Sequence, residues 1–510
     1  MTTTPALTLI RGAEVLTLAG PQGTQPVHAD LLLRDGRIEA IGPDLPVPQA
    51  CTLVEARGKL LMPGLVNAHT HSSETFFKGR YEGMPLETWL LYAYTYLSGS
   101  PIGDRLLYLR TLLLAMQSLK SGVTTLCDDF FDPMAHSIDR LGIVFRAYRD
   151  AGIRVNVSSA VLNTPVLDST PFGHELFPEH LSAQLKFGAP ATAADYTAYC
   201  EEAFRLFHGQ ADGRLRFAIT PSAPQRCTVD MLQACHALAV QHGVPLHTHL
   251  LETKVQAVAG QMFYGKTLLA HMHDIGILDR HATLAHAIWL TDADIARMGE
   301  AGCTVVHNPL SNLKLGSGLS PIRKLMDAGV RIGLGTDGLS SNDSARVFDL
   351  MRFAALMHNG PGSDADEWPR ATEVLKMATI DGARTALLDE VTGSLEVGKA
   401  ADLVMLDLDN DNFRPRNDIA KQLVYCENGS SVDLVMVAGR IVSQDGRLLT
   451  VDESAVWAEL DELLPAYLQE HGKWEAANRV FEPCFAEVIR RCQAVELPGL
   501  SRLTPPIDSR

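Results

Sequence analysis

The chain has no Cys-x-x-Cys pair. Its nine cysteines, at 51, 127, 200, 227, 235, 303, 426, 484 and 492, are scattered and odd in number. That argues against a zinc ribbon or a disulfide framework and for ordinary buried thiols in a reducing compartment. There is also no Lys/Arg-rich run. With 44 basic and 60 acidic residues the formal net charge is -16, so neither a nucleic-acid nor an anionic-membrane partner is expected. No apolar span is long enough to cross a bilayer. Met1 to Gly20 lacks a basic stretch leading into a sustained apolar core. The cytoplasm is therefore the expected compartment. No Gly-x-Gly-x-x-Gly follows a strand pattern, which removes support for a dinucleotide-binding sheet. Internal repeats and low-complexity segments are absent as well. What is present is an ordinary globular balance, 46% apolar and 20% charged over 510 residues, more than one common domain holds.

The pattern along the chain divides it into three parts. Residues 1–60 read as β-structure, with strand candidates at 6–10 and 29–33 and a hairpin signal at Asp35-Gly36 before 37–42. A second β-rich block, within 391–450, carries strand candidates at 401–406 and 432–440 and another Asp-Gly pair, Asp445-Gly446. Neither block is a comfortable domain alone, so the two are expected to pair into one composite β-sandwich. Between them, 61–390 alternates short apolar runs with helical patterns. Eight strand candidates fall at 64–68, 123–127, 154–158, 216–220, 244–249, 282–286, 303–307 and 331–336. Helices are expected between them, among others at 105–119, 229–241 and 321–328. This α/β pattern fits a (β/α)8 TIM-like barrel with insertions, with a doubly wound sheet as the alternative. The remainder, 451–510, reads as one or two amphipathic helices and an extended Pro-rich tail from Leu497.

The chemistry gathers at the ends of the expected strands. His69 and His71 are spaced i, i+2, so on a strand both imidazoles project from one face and can share a metal ion. Taken alone, His-x-His is a weak signal. However, strand five ends His247-Thr248-His249 with Glu252 after it, strand six ends in His286, strand seven in His307, and strand eight in Thr336-Asp337. Barrel enzymes collect their catalytic groups at such ends, and five polar strand ends together are hard to assign to chance. His247 and His249 share a strand face, so spacing does not choose between them.

These residues carry a resemblance. Met62-Pro63-Gly64-Leu65-Val66-Asn67-Ala68-His69-Thr70-His71, His249-x-x-Glu252, Leu284-Ala285-His286, His307-Asn308-Pro309-Leu310-Ser311-Asn312 and Gly335-Thr336-Asp337-Gly338 resemble the amidohydrolase superfamily. The resemblance is in particular to the branch of S-adenosylhomocysteine/methylthioadenosine deaminases and triazine hydrolases. The resemblance implies a barrel with a composite β-sandwich and one divalent metal ion per chain, Zn2+ or Fe2+, held by His69, His71, His249 and Asp337. It implies that His286 polarises water or substrate and that Glu252 shuttles protons. It assigns the ligand role to His249 rather than His247, because the glutamate follows at three residues. Two-metal relatives carry a bridging lysine or glutamate on strand four; here that strand ends Ile219-Thr220-Pro221-Ser222, which favours one metal.

A metal-activated water, a proton-carrying glutamate and a small-molecule substrate together point to hydrolytic deamination of a nitrogen heterocycle, such as a purine, pyrimidine, pterin or triazine. The alternatives are amide or urea hydrolysis, triazine dechlorination, or a non-catalytic scaffold. Trp89, Gln225, Arg226 and His307 are candidate substrate contacts, with Phe76 a candidate wall residue; Ser311-Asn312 is expected to order a loop. Ser222 stands where adenosine-type relatives carry a histidine, Thr88 rather than a glutamate precedes Trp89, and Ser158–Leu162 offers no arginine. S-adenosylhomocysteine is therefore not the expected substrate. The resemblance also implies a homodimer or homotetramer.

Overall fold

The computed structural model describes residues 7–94, 102–132, 136–185, 191–360 and 363–501. Strands from the two ends of the chain share one nine-stranded sheet. The first five are β1 (Leu7–Val15), β2 (Val27–Arg34), β3 (Arg37–Gly42), β4 (Thr52–Glu55) and β5 (Lys59–Pro63). The alternating parallel strands follow: β6 (Leu65–His71), β7 (Val123–Phe130), β8 (Arg154–Ser159), β9 (Leu215–Ala218), β10 (Leu246–Leu250), β11 (Ala282–His286), β12 (Thr304–His307), β13 (Arg331–Leu334) and the short β14 (Asp337–Gly338). The C-terminal strands are β15 (Leu403–Asp407), β16 (Val432–Val437), β17 (Arg440–Gln444) and β18 (Arg447–Leu448). The shared sheet runs β18-β17-β16-β15-β5-β1-β2-β3, with β4 on β1. Its seam is the antiparallel pairing of β15 with β5, Leu403 opposite Pro63 through Asp407 opposite Lys59.

Turn chemistry accounts for its hairpins. Asp35-Gly36 and Asp445-Gly446 both adopt positive φ at both positions, as a two-residue hairpin turn requires. A third such pair, Ala438-Gly439, was not expected. It breaks the single run anticipated over 432–440 into β16 and β17, because a chain at positive φ for two residues reverses instead of extending. The β2–β3 and β16–β17 turns meet at their glycines: a Cβ on Gly36 would lie 2.4 Å from the Ala438 carbonyl oxygen, and one on Gly439 2.5 Å from the Gly36 Cα. Only glycine permits that approach.

Pro63-Gly64 is where one sheet hands over to the other. A Cβ on Gly64 would lie 2.1 Å from Thr124 Oγ1, so the chain passes tightly over β7. The parallel strands form two runs, β14-β6-β7-β8-β9 and β10-β11-β12-β13. Isolated parallel bridging joins Ile219 to Leu246 between the runs, and Asp337 pairs with Thr70. Helices separate the strands, among them Asp104–Lys120, Val229–His242 and Ile322–Asp327. A buried ion pair ties the two sheets together. Arg154 on β8 grips Asp402 through two hydrogen bonds, Nε to Oδ2 at 2.6 Å and Nη2 to Oδ1 at 3.2 Å, and Asp402 Oδ1 also accepts the Ala438 N–H. Two apolar cores result, a large one around the parallel strands and a smaller one inside the shared sheet.

The C-terminal segment forms two helices, Glu453–Asn478 and Glu482–Ala494. The tail expected to be extended lies mostly in 502–510, outside the described residues. Among the described residues no helix is long and apolar enough to cross a membrane.

Candidate metal centre

Strand β6 runs to His71, three residues past the apolar run 64–68, so both histidines sit on the strand, as their i, i+2 spacing requires, and lie inside the protein. β10 brings His247 and His249, β11 brings His286, and β14 brings Asp337. The side-chain nitrogens and oxygens of His69, His71, His249 and Asp337 fall within 4.8 Å of one another. Asp337 Oδ1 lies 3.3 Å from His69 Nε2 and 3.1 Å from His71 Nε2, and His71 Nε2 lies 3.3 Å from His249 Nε2.

The opposite ring nitrogens explain why Nε2 faces inward. His71 Nδ1 is 2.8 Å from the Asp129 carbonyl, and His249 Nδ1 is 2.7 Å from the Ser222 carbonyl. A carbonyl oxygen only accepts, so each Nδ1 carries the proton and, in the neutral ring, each Nε2 carries a lone pair. His69 Nδ1 shares a proton with His247 Nε2 at 2.8 Å, which leaves His69 Nε2 buried with no hydrogen-bond partner. His247 thus stands behind His69 and supports it. Burial lowers the His69 pKa to about 4 and holds His247 and His249 well below the usual histidine value. Burial also works against protonating His71, but Asp337, with Asp129 and Glu74, outweighs it and raises the His71 pKa. A positive charge is therefore favoured between His71 and Asp337. Converging lone pairs, an orphaned Nε2 and one carboxylate are the donor set of a divalent transition metal, and they fit Zn2+.

Asp337 is held from behind. Ser311 Oγ donates to its Oδ2 at 2.5 Å and Ser341 Oγ at 3.2 Å, so Oδ1 is left to face the imidazoles. Burial would raise this carboxyl, but the adjacent His69 and His71 imidazoles and the nearby His286 hold it well below its usual range. Asn312 Oδ1 lies 2.9 Å from His286 Nδ1, which turns Nε2 towards Glu252 Oε2 at 3.7 Å. The Ser311-Asn312 turn therefore does more than order its own loop. The backbone is strained at these strand ends: Leu251, His286, Ala287 and Asp337 all have φ between +49° and +70°. Such conformations persist in non-glycine residues where surrounding structure enforces them, and they concentrate at functional sites.

Glu252 is buried, and burial with the neighbouring Asp337 charge pushes its carboxyl up to about 7, against the opposing pull of His286. A group poised there exchanges protons readily at neutral pH. Two further buried carboxyls escaped the reading of strand ends. Glu74 accepts the Tyr94 hydroxyl at 2.6 Å and the Ser340 hydroxyl at 2.6 Å, and burial raises its pKa to about 6. Asp129 is raised to about 7 by burial. Asp129 was missed because β7 was expected to stop at Cys127, whereas it continues to Phe130. Glu74 lies in a short helical turn, where strand periodicity gives no signal.

A cavity of about 1130 Å3 opens over this cluster, with His71, His249, Glu252, His286 and Asp337 in its lining. Trp89, Gln225 and Arg226 line it too. Trp89 Nε1 and Gln225 Oε1 are buried without a hydrogen-bond partner in the protein. His307 is not among the lining residues. It is fully buried, its ring sits 5.6 Å from that of His358, and both of its ring nitrogens lack partners. Val306 pairs with Ala285, so His307 follows at the level of His286, yet its ring lies against His358 and not in the lining. Phe76 also stays outside the cavity and packs on Tyr467.

Residues 60–442 match the model of the Amidohydrolase family. Among curated relatives, the 5-methylthioadenosine/S-adenosylhomocysteine deaminase of Caldanaerobacter subterraneus subsp. tengcongensis is 32% identical over 455 residues, covering 89% of this chain and 96% of the relative. The 5'-deoxyadenosine deaminase of Methanosarcina mazei is 32% identical over 454 residues, covering 88% and 96%. Among solved structures, an atrazine chlorohydrolase from Arthrobacter aurescens complexed with zinc superposes with a TM-score of 0.82 at 27% identity, covering 90% of this chain and 100% of that one. An adenosine deaminase from Xanthomonas campestris with bound zinc superposes with a TM-score of 0.76 at 27% identity, covering 93% and 98%.

Proposed function

The chain belongs to the amidohydrolase family, and from that membership we propose that it is a metal-dependent aminohydrolase. It hydrolytically deaminates an aminated nitrogen heterocycle, using one divalent ion, Zn2+ first, bound by His69, His71, His249 and Asp337. The observation that carries this reading is the convergence of three imidazole Nε2 atoms and one carboxylate oxygen at the floor of a cavity that also holds Glu252 and His286.

When bound, the ion supplies a water whose pKa falls towards about 7. The protein's own groups supply the rest. Asp337 takes up the proton released there. Glu252, poised near neutrality, gives a proton to a ring nitrogen and regains one from the attacking hydroxyl, and the proton held by Asp337 leaves with the amine. His286, fixed by Asn312, presents Nε2 to the developing charge next to Glu252. Trp89, Gln225 and Arg226 contact the heterocycle.

The test is a screen of the zinc-loaded protein for ammonia release from aminated purines, purine nucleosides, pyrimidines, pterins and triazines. The likeness to a chlorohydrolase supports a second reading, in which chloride leaves in place of ammonia. Chloride release without ammonia would replace the deaminase assignment.

We also infer that 61–390 is a closed (β/α)8 barrel, that 1–60 and 391–450 make the composite sandwich, and that 451–510 is a separate helical extension. The Ile219–Leu246 and Asp337–Thr70 pairings support the first, and the β5–β15 seam the second.

A further inference from the structure

The family match ends at residue 442, and the two C-terminal helices follow it. They do not lie idle on the surface. Helix Glu482–Ala494 packs against helix Leu86–Ala93, which carries Glu87 and Trp89, and against helix Lys254–Tyr264, which begins two residues after Glu252. It also touches the turn Gly173–Leu176 at the cavity rim.

Polar anchors fix this docking. Lys254 Nζ donates to the Gln493 carbonyl at 2.6 Å, the Tyr92 hydroxyl donates to Glu482 at 2.7 Å, and Arg491 pairs with Glu175 at 2.5 Å. The preceding helix is tied to the same region by Arg80 and Tyr81, which both donate to Glu475. Between these anchors one side chain reaches the cavity: Phe485 is 3% exposed, lies edge-on to Phe177 with ring centroids 5.0 Å apart, and lines the cavity together with Leu86, Leu90, Val255 and Ala259. Those four residues sit on the two helices that the extension grips, so the five form an apolar wall. Glu87 and Gln256, which line the cavity from the same helices, are engaged within the protein: Glu87 accepts the Thr253 hydroxyl at 2.6 Å and Gln256 Oε1 accepts the Glu252 N–H at 3.0 Å.

We propose that Phe485 is a specificity-determining residue, and that through it the C-terminal extension selects heterocycles carrying an apolar substituent. The proposal rests on the deaminase reading for the nature of the ring; the wall itself stands independently of it. An alkyl, alkylthio or aryl group removed from water against a phenyl ring and four aliphatic side chains binds in proportion to the apolar area it buries. A polar substituent gains nothing there and loses its water.

The test uses the full-length, zinc-loaded chain. Heterocycles that release ammonia are assayed in pairs, with and without a benzyl or alkylthio substituent, on the wild type, Phe485→Ala and Phe485→Leu. The wild type is expected to prefer the substituted member. In Phe485→Ala that preference falls by about tenfold or more, carried by KM rather than kcat, and Phe485→Leu recovers most of it. Equal effects on both members of a pair, or a loss confined to kcat, would overturn the assignment. If the wild type releases no ammonia from any compound, the deaminase reading fails and the wall is judged by amide hydrogen exchange. Phe485→Ala and Lys254→Met are then expected to speed exchange in 86–93 and 254–264 by about fivefold or more, with 304–307 unchanged. Unaltered exchange in both helices would overturn the proposal.

Discussion

His247 and His249 stand two residues apart on one strand, and only their partners distinguish them. His249 gives its Nδ1 proton to a backbone carbonyl and turns Nε2 to the cluster; His247 spends its Nε2 on His69. This leads to two expectations. Glu252→Gln keeps the shape of the site but cannot carry a proton, so metal content by elemental analysis stays close to one equivalent per chain while kcat falls by about 10²–10⁴. Ser311→Ala removes the shorter hydrogen bond to Asp337 Oδ2. It is expected to weaken metal retention about tenfold or more in a chelator competition, because the outer partner no longer orients the ligand.

At the scale of elements, the short pairing of β14 with β6 sets the site. Asp337 opposite Thr70 and Gly338 opposite His71 place the carboxylate between the two β6 histidines. That register depends on Gly338. A Cβ there would lie 1.7 Å from Glu74 Oε2, so any side chain displaces either β14 or the buried glutamate. Gly338→Ala is therefore expected to fold but to lose most of its bound metal, read by elemental analysis after gel filtration. Retention of full metal content would mean that Glu74, rather than the strand, gives way. Much of this element structure was legible beforehand. The eight strand positions, the Asp-Gly hairpins and helices such as Val229–His242 follow from apolar periodicity and turn residues. The reach of β7 past its apolar run was not legible, because Asp128 and Asp129 are polar. They remain in the strand through ladder pairing with neighbours distant in the chain.

For the molecule as a whole, Arg154 and Asp402, with side chains 3% and 0% exposed, form a buried ion pair between the parallel strands and the shared sheet. Asp402→Ala would leave the guanidinium buried without its carboxylate and strip the Ala438 N–H of its acceptor. A loss of about 3–5 kcal/mol is expected in urea unfolding. Metal removal acts at the same scale, since an ion bound only by the native state stabilises it by mass action. Chelation is expected to lower the unfolding midpoint of the wild type and to leave that of a His69→Ala, His71→Ala double variant unchanged.

The amino-acid sequence by itself determined the strand–helix alternation, the two β-rich ends and the set of residues available to hold a metal. Each of those follows from local spacing: period two on a strand, a turn pair, a polar group closing an apolar run. Tertiary structure alone decided which nitrogen of each histidine faces the cluster, that His307 stays out of the cavity lining, and that Glu74 and Asp129 join it. It also decided that Phe485, more than two hundred residues after Glu252, stands in the same cavity. Those outcomes depend on hydrogen-bond partners and packing between segments far apart in the chain, and no local pattern encodes them.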